Sequence, residues 1–279
     1  VAVGKDALAN STNGPNTAVG SNSLTGLTTG YDNTAVGRNA GANITNAIRN
    51  TAIGDLALST NTTGHYNTAV GAYSLRYQTT GSRNTALGYN AADSVTTGAN
   101  NVALGADTLG NVTTQNHNVA IGRASQQLAT GTANVAVGTD TLENVSGGYN
   151  TAVGYRSSTT ATSGSENVGV GQESLHLLTT GSHNTAIGSK ALRTMTTAGQ
   201  NTAVGYYAMH NNTTGGLNTA IGRMALFHNT TGQMNVAIGY NSMYLSNVDG
   251  YNTAVGANSL ASNTSGSSNV AVGYRTLAT

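Results

Sequence analysis

The 279-residue chain contains no cysteine, no tryptophan, one proline and one phenylalanine, and charged residues make up only 8% of it. Without cysteine it can form neither a disulfide framework nor a thiolate metal site. An ordinary domain carries about 25% charged residues and enough bulky side chains for a compact core. The composition is therefore that of a fibrous protein rather than a globular one.

The sequence also lacks the basic runs typical of nucleic-acid-binding proteins and the long apolar runs typical of membrane-spanning helices. The net charge is +1, and no basic run or stripe occurs, so we predict no nucleic-acid partner. No apolar run of about 18 residues is present, so we predict no membrane insertion by this segment. The chain begins inside a truncated repeat, with no signal peptide visible, and we expect it to be a fragment of a longer fibre protein.

The chain instead repeats one short motif seventeen times: a triplet of β-branched or aliphatic residues followed by glycine. Thirteen of the sixteen intervals between these glycines are 17 residues long, and three are 16. A short fixed period of this kind is the signature of a solenoid. Residues 1–279 are therefore predicted to form a single repeat array.

The repeat at 67–83 shows the consensus, which starts Asn-Thr-Ala-Val-Gly. We name its columns after these residues: an asparagine column, an alanine column, a glycine column, and two flanking columns that hold Thr or Val before each alanine and Val, Ile or Leu after it. Three residues after each glycine stands Ala, Ser or Thr, usually followed by Leu or Met, which we call the small-Leu pair.

These columns predict an all-β, parallel β-solenoid (a β-roll) of about sixteen 17-residue coils. The triplet is a short run of strand formers, and its glycine allows the positive φ of a sharp corner. We expect a second extended segment through the small-Leu pair. Stacking at the ~4.8 Å strand spacing gives a rod roughly 75 to 80 Å long, with strands in register.

In-register stacking places identical side chains on top of one another, which explains the composition. Stacked charges would repel, whereas asparagine amides can hydrogen-bond to the amides above and below. No charged residue lies between the asparagine and glycine columns or in the small-Leu pair. The predicted structural ladder includes Asn67, Ala69, Val70, Gly71, Asn84, Ala86, Gly88, Asn201, Ala203 and Gly205.

Residues two apart in a strand share a face, so the flanking columns point one way and the alanine column the other. We predict that the flanking columns fill the coil interior and that the alanine column faces another chain, in a homotrimeric bundle. The alternative is that alanine simply fits a narrow interior.

The Asn-Thr-Ala-Val-Gly-x-x-Ala-Leu unit, as at 67–75, 184–192 and 218–226, resembles the repeats of phage tail fibres and of bacterial tail-fibre-domain surface proteins. It is also similar to the head repeats of trimeric autotransporter adhesins, whose Ser-Val-Ala-Ile-Gly-x-x-Ser unit resembles residues 235–242. These resemblances imply a left-handed β-roll assembled as a trimer. The adhesin unit is shorter, at about 14 residues, and we expect no stalk, chaperone or membrane anchor within residues 1–279.

No catalytic or metal-binding constellation is visible, so we predict a protein that is not an enzyme and uses no cofactor. The histidines have irregular spacing and are interpreted as solvated loop residues: His65, His117, His176, His183, His210 and His228. Asp6, Asp107 and Asp140 share the second position after glycine with several asparagines, which indicates turn chemistry rather than calcium binding.

Two surfaces are candidates for binding. The tyrosines Tyr206, Tyr207, Tyr240 and Tyr244 recur at predicted corners and could stack on host glycans or proteins, although scattered surface tyrosine is the simpler interpretation. Recurrent Thr-Thr pairs, as at 79–80, suggest ice binding. Adjacent threonines point to opposite faces, so each pair would supply only one outward column where two are needed.

We therefore predict the structural shaft of an extracellular or virion fibre, which projects an adhesive tip. Its partner is itself, with a host-surface glycan or protein as a further candidate. The alternative is the head of a trimeric bacterial surface adhesin that binds host matrix or glycans.

Overall fold

A computed structural model describes residues 1–12, 14–247 and 250–278. The chain divides into two compact units, Val1–Thr139 and Asp140–Thr279. Each unit is a parallel β-solenoid, and the two units together contain about sixteen coils, with no helix in the described residues. The predicted all-β, parallel β-solenoid fold is therefore confirmed.

In the first unit, each strand is the triplet that precedes a repeat glycine. Successive strands pair in parallel and in register, so that Ala69 of one strand lies opposite Ala86 of the next. The strands are β1 (Ala2–Val3), β2 (Thr17–Val19), β3 (Thr34–Val36), β4 (Thr51–Ile53), β5 (Thr68–Val70), β6 (Thr85–Leu87), β7 (Val102–Leu104), β8 (Val119–Ile121) and β9 (Val135–Val137).

The second unit repeats the same plan, with Ala203 opposite Ala220. Its strands are β10 (Thr151–Val153), β11 (Val168–Val170), β12 (Thr185–Ile187), β13 (Thr202–Val204), β14 (Thr219–Ile221), β15 (Val236–Ile238), β16 (Thr253–Val255) and β17 (Val270–Val272).

The expected second extended segment is wrong, because the small-Leu pair lies in a run of turns. In the repeat at 67–83, Tyr73, Leu75 and Arg83 have positive φ angles of 63°, 47° and 57°. Left-handed residues bend the chain sharply within a few residues. The turn backbone still hydrogen-bonds from coil to coil, since the Leu75 N–H donates to the Ala91 carbonyl at 3.0 Å.

The orientation predicted for the strands is also wrong. Ala69, Ala86 and Ala203 are fully buried inside their coils, whereas the flanking residues Thr68 and Val70 are only half-buried on the outside. The alternative interpretation, in which alanine fits a narrow interior, is confirmed. Because alanine is internal, it cannot be the column that faces another chain.

The physical reason is the volume of the coil. Leu75, like Leu58 and Leu109, is fully buried from the turn side, and these leucines share one core cluster with alanines of the first unit. Little more than a methyl group fits opposite them. At Gly169, the only glycine in the alanine column, an added Cβ would lie 2.8 Å from Ser157 Oγ and 3.1 Å from Ser174 Oγ.

Candidate functional site

The outer face of the sheet is a surface that recurs in the coils of each unit. It consists of the two flanking columns, which point away from the core. Its apolar members range from half-buried, as at Val70, to exposed, with Val36 at 37%, Ile221 at 41% and Leu87 at 51%. No charged residue occurs in either column. This outer sheet face is therefore a flat strip of β-branched and aliphatic side chains.

Beside this face, the asparagine column is buried along most of its length and is densely hydrogen-bonded. Asn84 Oδ1 accepts the backbone N–H of Asn101 at 2.9 Å and the Asn101 side-chain amide at 3.2 Å. Asn84 Nδ2 donates to the Gly98 carbonyl at 2.7 Å. Asn67 and Asn201 occupy the same position in their coils. The predicted amide-to-amide bond occurs in some coils, as at Asn101 and Asn201. The bond that recurs along the column joins an asparagine backbone N–H to the Oδ1 of the asparagine in the preceding coil.

Glycine ends each strand for two reasons. Gly71 and Gly205 have φ angles of +126° and +136°, which side-chain-bearing residues rarely adopt. An added Cβ would also lie 2.4 Å from the Gly88 carbonyl oxygen in the first case and 2.5 Å from that of Gly222 in the second. The predicted positive-φ corner is confirmed, and close packing of successive coils is a second constraint that the sequence did not reveal.

The turn chemistry predicted after the glycine is confirmed. Asp6, Asp107 and Asp140 all have φ near +55°, at 58°, 56° and 53°. Short polar side chains tolerate this conformation better than most. In the described residues, no group of three or more His, Asp or Glu side chains lies close enough to hold a metal ion.

Charges lie at corners and turns, where they pair between coils. Nη2 of the exposed Arg38 lies 2.7 Å from Oδ2 of the half-buried Asp55, and Arg76 Nε lies 3.0 Å from Asp93 Oδ1 in a less exposed pair. Burial raises the pKa of the Asp93 carboxyl, and the Arg76 charge opposes that shift. These pairs relieve the repulsion that stacked like charges would cause.

Two histidines do not fit the solvated-loop interpretation. His176 is buried, and its Nδ1 lies 3.2 Å from the Arg156 carbonyl oxygen. His210 is half-buried in a stack of rings. Burial lowers the pKa of both imidazoles. Their columns hold varied residues in other repeats, so the burial of these two histidines could not be predicted from column identity.

The four tyrosines named as a binding surface belong to one aromatic region. Tyr206 and Tyr240 are each 46% exposed, and Tyr206 meets Tyr207 with ring centroids 4.3 Å apart. Tyr244 stacks on Phe227 at 5.3 Å and 17° between planes. The remaining contacts of this region are made by His210, His228, Lys190 and Arg223.

Sequence reasoning missed Phe227 and Arg223 as members of this region. The signal was present, because Phe227 and Tyr244 occupy the same column of consecutive repeats, as do Arg223 and Tyr240. In an in-register solenoid, a shared column means contact between neighbouring coils.

In the Thr-Thr pair at 79–80, the first threonine hydrogen-bonds to the next coil and the second is exposed. The Thr79 hydroxyl donates to the Thr96 carbonyl at 3.2 Å, and Thr96 donates in the same way to Thr113 at 3.1 Å. The second threonine of the pair, Thr80, is exposed. As expected, only one of the two threonines faces outward freely.

The chain matches no family model, no curated protein and no solved structure. Among the described residues, no helix is long and apolar enough to cross a membrane.

Proposed function

We propose that this chain is part of the structural shaft of an extracellular or virion fibre, of the phage tail-fibre kind, that projects an adhesive tip. A shaft needs length and resistance to unfolding rather than a reactive site. The observation that carries the proposal is the uninterrupted repetition of one coil, whose buried asparagine ladder leaves few polar groups unpaired.

We further propose that the shaft is a homotrimer and that its chains meet through the outer sheet face. The exposed aliphatic side chains of Ile53, Leu87 and Ile187 support this choice of face. A charge-free face of threonine and aliphatic side chains, repeated in the coils of each unit, is suited to contact with copies of itself, and burial there would remove its apolar groups from solvent.

Light scattering of the wild-type chain tests this assembly and should give three chains per particle. The double variant Val70→Glu/Ile187→Glu places a carboxylate on the outer sheet face of each unit. This variant should be a monomer that keeps a β-sheet circular dichroism spectrum. Thr80→Glu, at an exposed turn position, is the control and should leave the trimer intact. A wild-type monomer would contradict the proposal.

A trimeric adhesin head is the second candidate, and the exposed aromatic region around Tyr206 and Tyr240 favours it. Binding of the isolated chain to host matrix or glycans would support this reading over a passive spacer.

An ice-binding function would use the outer sheet face rather than the Thr-Thr pairs. The outer sheet face presents two outward columns of side chains, formed by Thr51 and Ile53 in one strand and by Thr68 and Val70 in the next. The Thr-Thr pairs present only one outward column. Thermal hysteresis of the purified chain distinguishes this function from a shaft, which should show none.

A further inference from the structure

The column that follows the repeat glycines contains an unusual series in the second unit. We call this the post-glycine column. In five successive repeats it holds Tyr206, Arg223, Tyr240, Ala257 and Tyr274. The strands that precede these residues pair in register from β13 to β17. The five side chains therefore start from one row, about 4.8 Å apart.

The first gap in this row is filled by a flat cation. The Arg223 guanidinium carbon lies 5.9 Å from the ring centroid of Tyr206 and 5.6 Å from that of Tyr240. In the first unit, Arg49 and Arg83 lie on either side of Tyr66 in a similar way, at 5.8 and 5.7 Å. The coil spacing thus accepts a flat group between tyrosines that are two coils apart.

The second gap also spans two coils, and the residue between its tyrosines carries no flat side chain. Ala257 alone stands between Tyr240 and Tyr274. The Asn258 N–H donates to the Tyr240 carbonyl at 2.8 Å, and the Arg275 N–H donates to the Ala257 carbonyl at 3.0 Å, so the three coils are directly stacked.

Two strand spacings separate the coils that carry these rings, about 9.6 Å. A ring in van der Waals contact with a tyrosine on each side needs the two tyrosine rings to be about 7 to 8 Å apart. The coil separation therefore leaves enough room for one ring, which the tyrosine side chains can close on by leaning inward. Tyr240 and Tyr274 are 46% and 73% exposed, so the slot opens to solvent.

The charges near the slot decide which ring it suits. Arg275 follows Tyr274 and is exposed, and Arg223 lies against Tyr240. No acidic residue occurs between residues 250 and 279. A cationic ring would therefore be repelled, whereas a carboxylate can pair with a guanidinium.

We propose that the slot formed by Tyr240, Ala257 and Tyr274 binds a pyranose ring that carries a carboxylate, the chemistry of uronic and sialic acids. The C–H faces of the sugar stack on the tyrosine rings, and the carboxylate pairs with Arg275. This proposal goes beyond the shaft and does not depend on it, since it concerns one surface of the second unit.

The test is isothermal titration calorimetry of the full chain with three probes. These are a galacturonate oligomer, sialyllactose and the neutral maltotetraose. The wild type should bind at least one acidic probe, and that probe at least about tenfold more tightly than the neutral one. Tyr240→Leu and Tyr274→Leu should each weaken acidic binding about tenfold, because each removes one stacking face.

Two further variants make the result specific. Ala257→Arg should fold normally, fill the slot as Arg223 fills its neighbour, and abolish binding. Tyr155→Leu removes a 48% exposed tyrosine from the same column, where Gln172 and Ser189 follow and no second ring forms a slot, and binding should be unchanged.

Melting curves verify that the variants remain folded. The proposal is overturned if neither acidic probe binds the wild type, if the neutral probe binds equally well, or if Ala257→Arg leaves binding intact.

Discussion

Ala86 and Leu87 are neighbours in one strand, yet they lie in opposite environments. Ala86 is fully buried, whereas the larger and more apolar Leu87 is 51% exposed. In most half-buried sheets the larger apolar residue points inward. Here the interior is filled from the turn side by residues such as Leu75, and the strand contributes only a methyl group. The contrast teaches that the volume left by the other side of the coil, rather than hydrophobicity alone, decides which face of a strand is internal.

The largest expected effect comes from placing a charge on the inner face. Ala69→Glu should unfold its coil and cost about 5 kcal/mol or more, because a carboxylate would be buried without a partner. Val70→Glu is the matched control on the outer face, and its chain should keep its fold even if it no longer assembles. Thermal unfolding followed by circular dichroism checks both. Equal melting temperatures for the two variants would contradict the assigned orientation.

The second comparison uses the same side chain on both faces. Leu75→Ala should destabilise the chain by about 2 to 5 kcal/mol, since it opens a cavity in the core. Leu87→Ala should cost less than about 1 kcal/mol in the monomer, because that side chain is already largely in water. Urea denaturation measures both values. A larger loss for Leu87→Ala in a dilute monomer would count against this account.

A smaller effect is expected where the inner face meets the asparagine ladder. Asn84→Ala should cost about 1 to 3 kcal/mol, because the buried N–H of Asn101 loses its acceptor. The exposed Asn111 provides a control, and Asn111→Ala should be nearly neutral. Hydrogen exchange gives the local readout. The Asn101 amide should exchange faster in Asn84→Ala than in the wild type, and unchanged protection would show that the ladder bond is unimportant.

The smallest expected effect is a pH dependence from the buried His176. Burial lowers its pKa from the ordinary value of 6.5, so the unfolded chain takes up a proton more readily than the folded one. Stability should therefore be fully present above pH 6.5 and should fall as the pH drops below it. His210 contributes with the same sign.

The His176→Gln variant should lose part of this pH dependence, whereas His117→Gln, at an exposed position, should keep all of it. Melting temperatures measured at pH 7.5 and pH 5.0 give the comparison. An equal pH dependence in both variants would exclude His176 as the cause.

Much of the fold could be predicted from periodicity. The strands, the positive-φ glycines such as Gly71, the Asn84 ladder and the exclusion of charge from these columns all follow from stacking one coil on itself. The inward or outward orientation of Ala69 could not be predicted, because a period of two is satisfied either way. The orientation is decided by the burial of Leu75 from the turn side. That burial depends on a left-handed backbone conformation at Leu75, which a leucine in the sequence does not indicate.

The aromatic region shows the same limit. The tyrosines were visible as corner residues, but their partners Phe227 and Arg223 became meaningful only once the register placed them in the same columns. Side-chain contacts between coils require the register as well as the residue types.

Thiol labelling tests the assignment of the two faces most directly, because the chain has no cysteine of its own. Ala86→Cys and Leu87→Cys place single thiols at adjacent residues of β6. In a dilute sample, Leu87→Cys should react with a thiol reagent at nearly the rate seen in urea, and Ala86→Cys should stay protected until the chain is unfolded. Rapid labelling of Ala86→Cys with protection of Leu87→Cys would reverse the two faces and contradict the account.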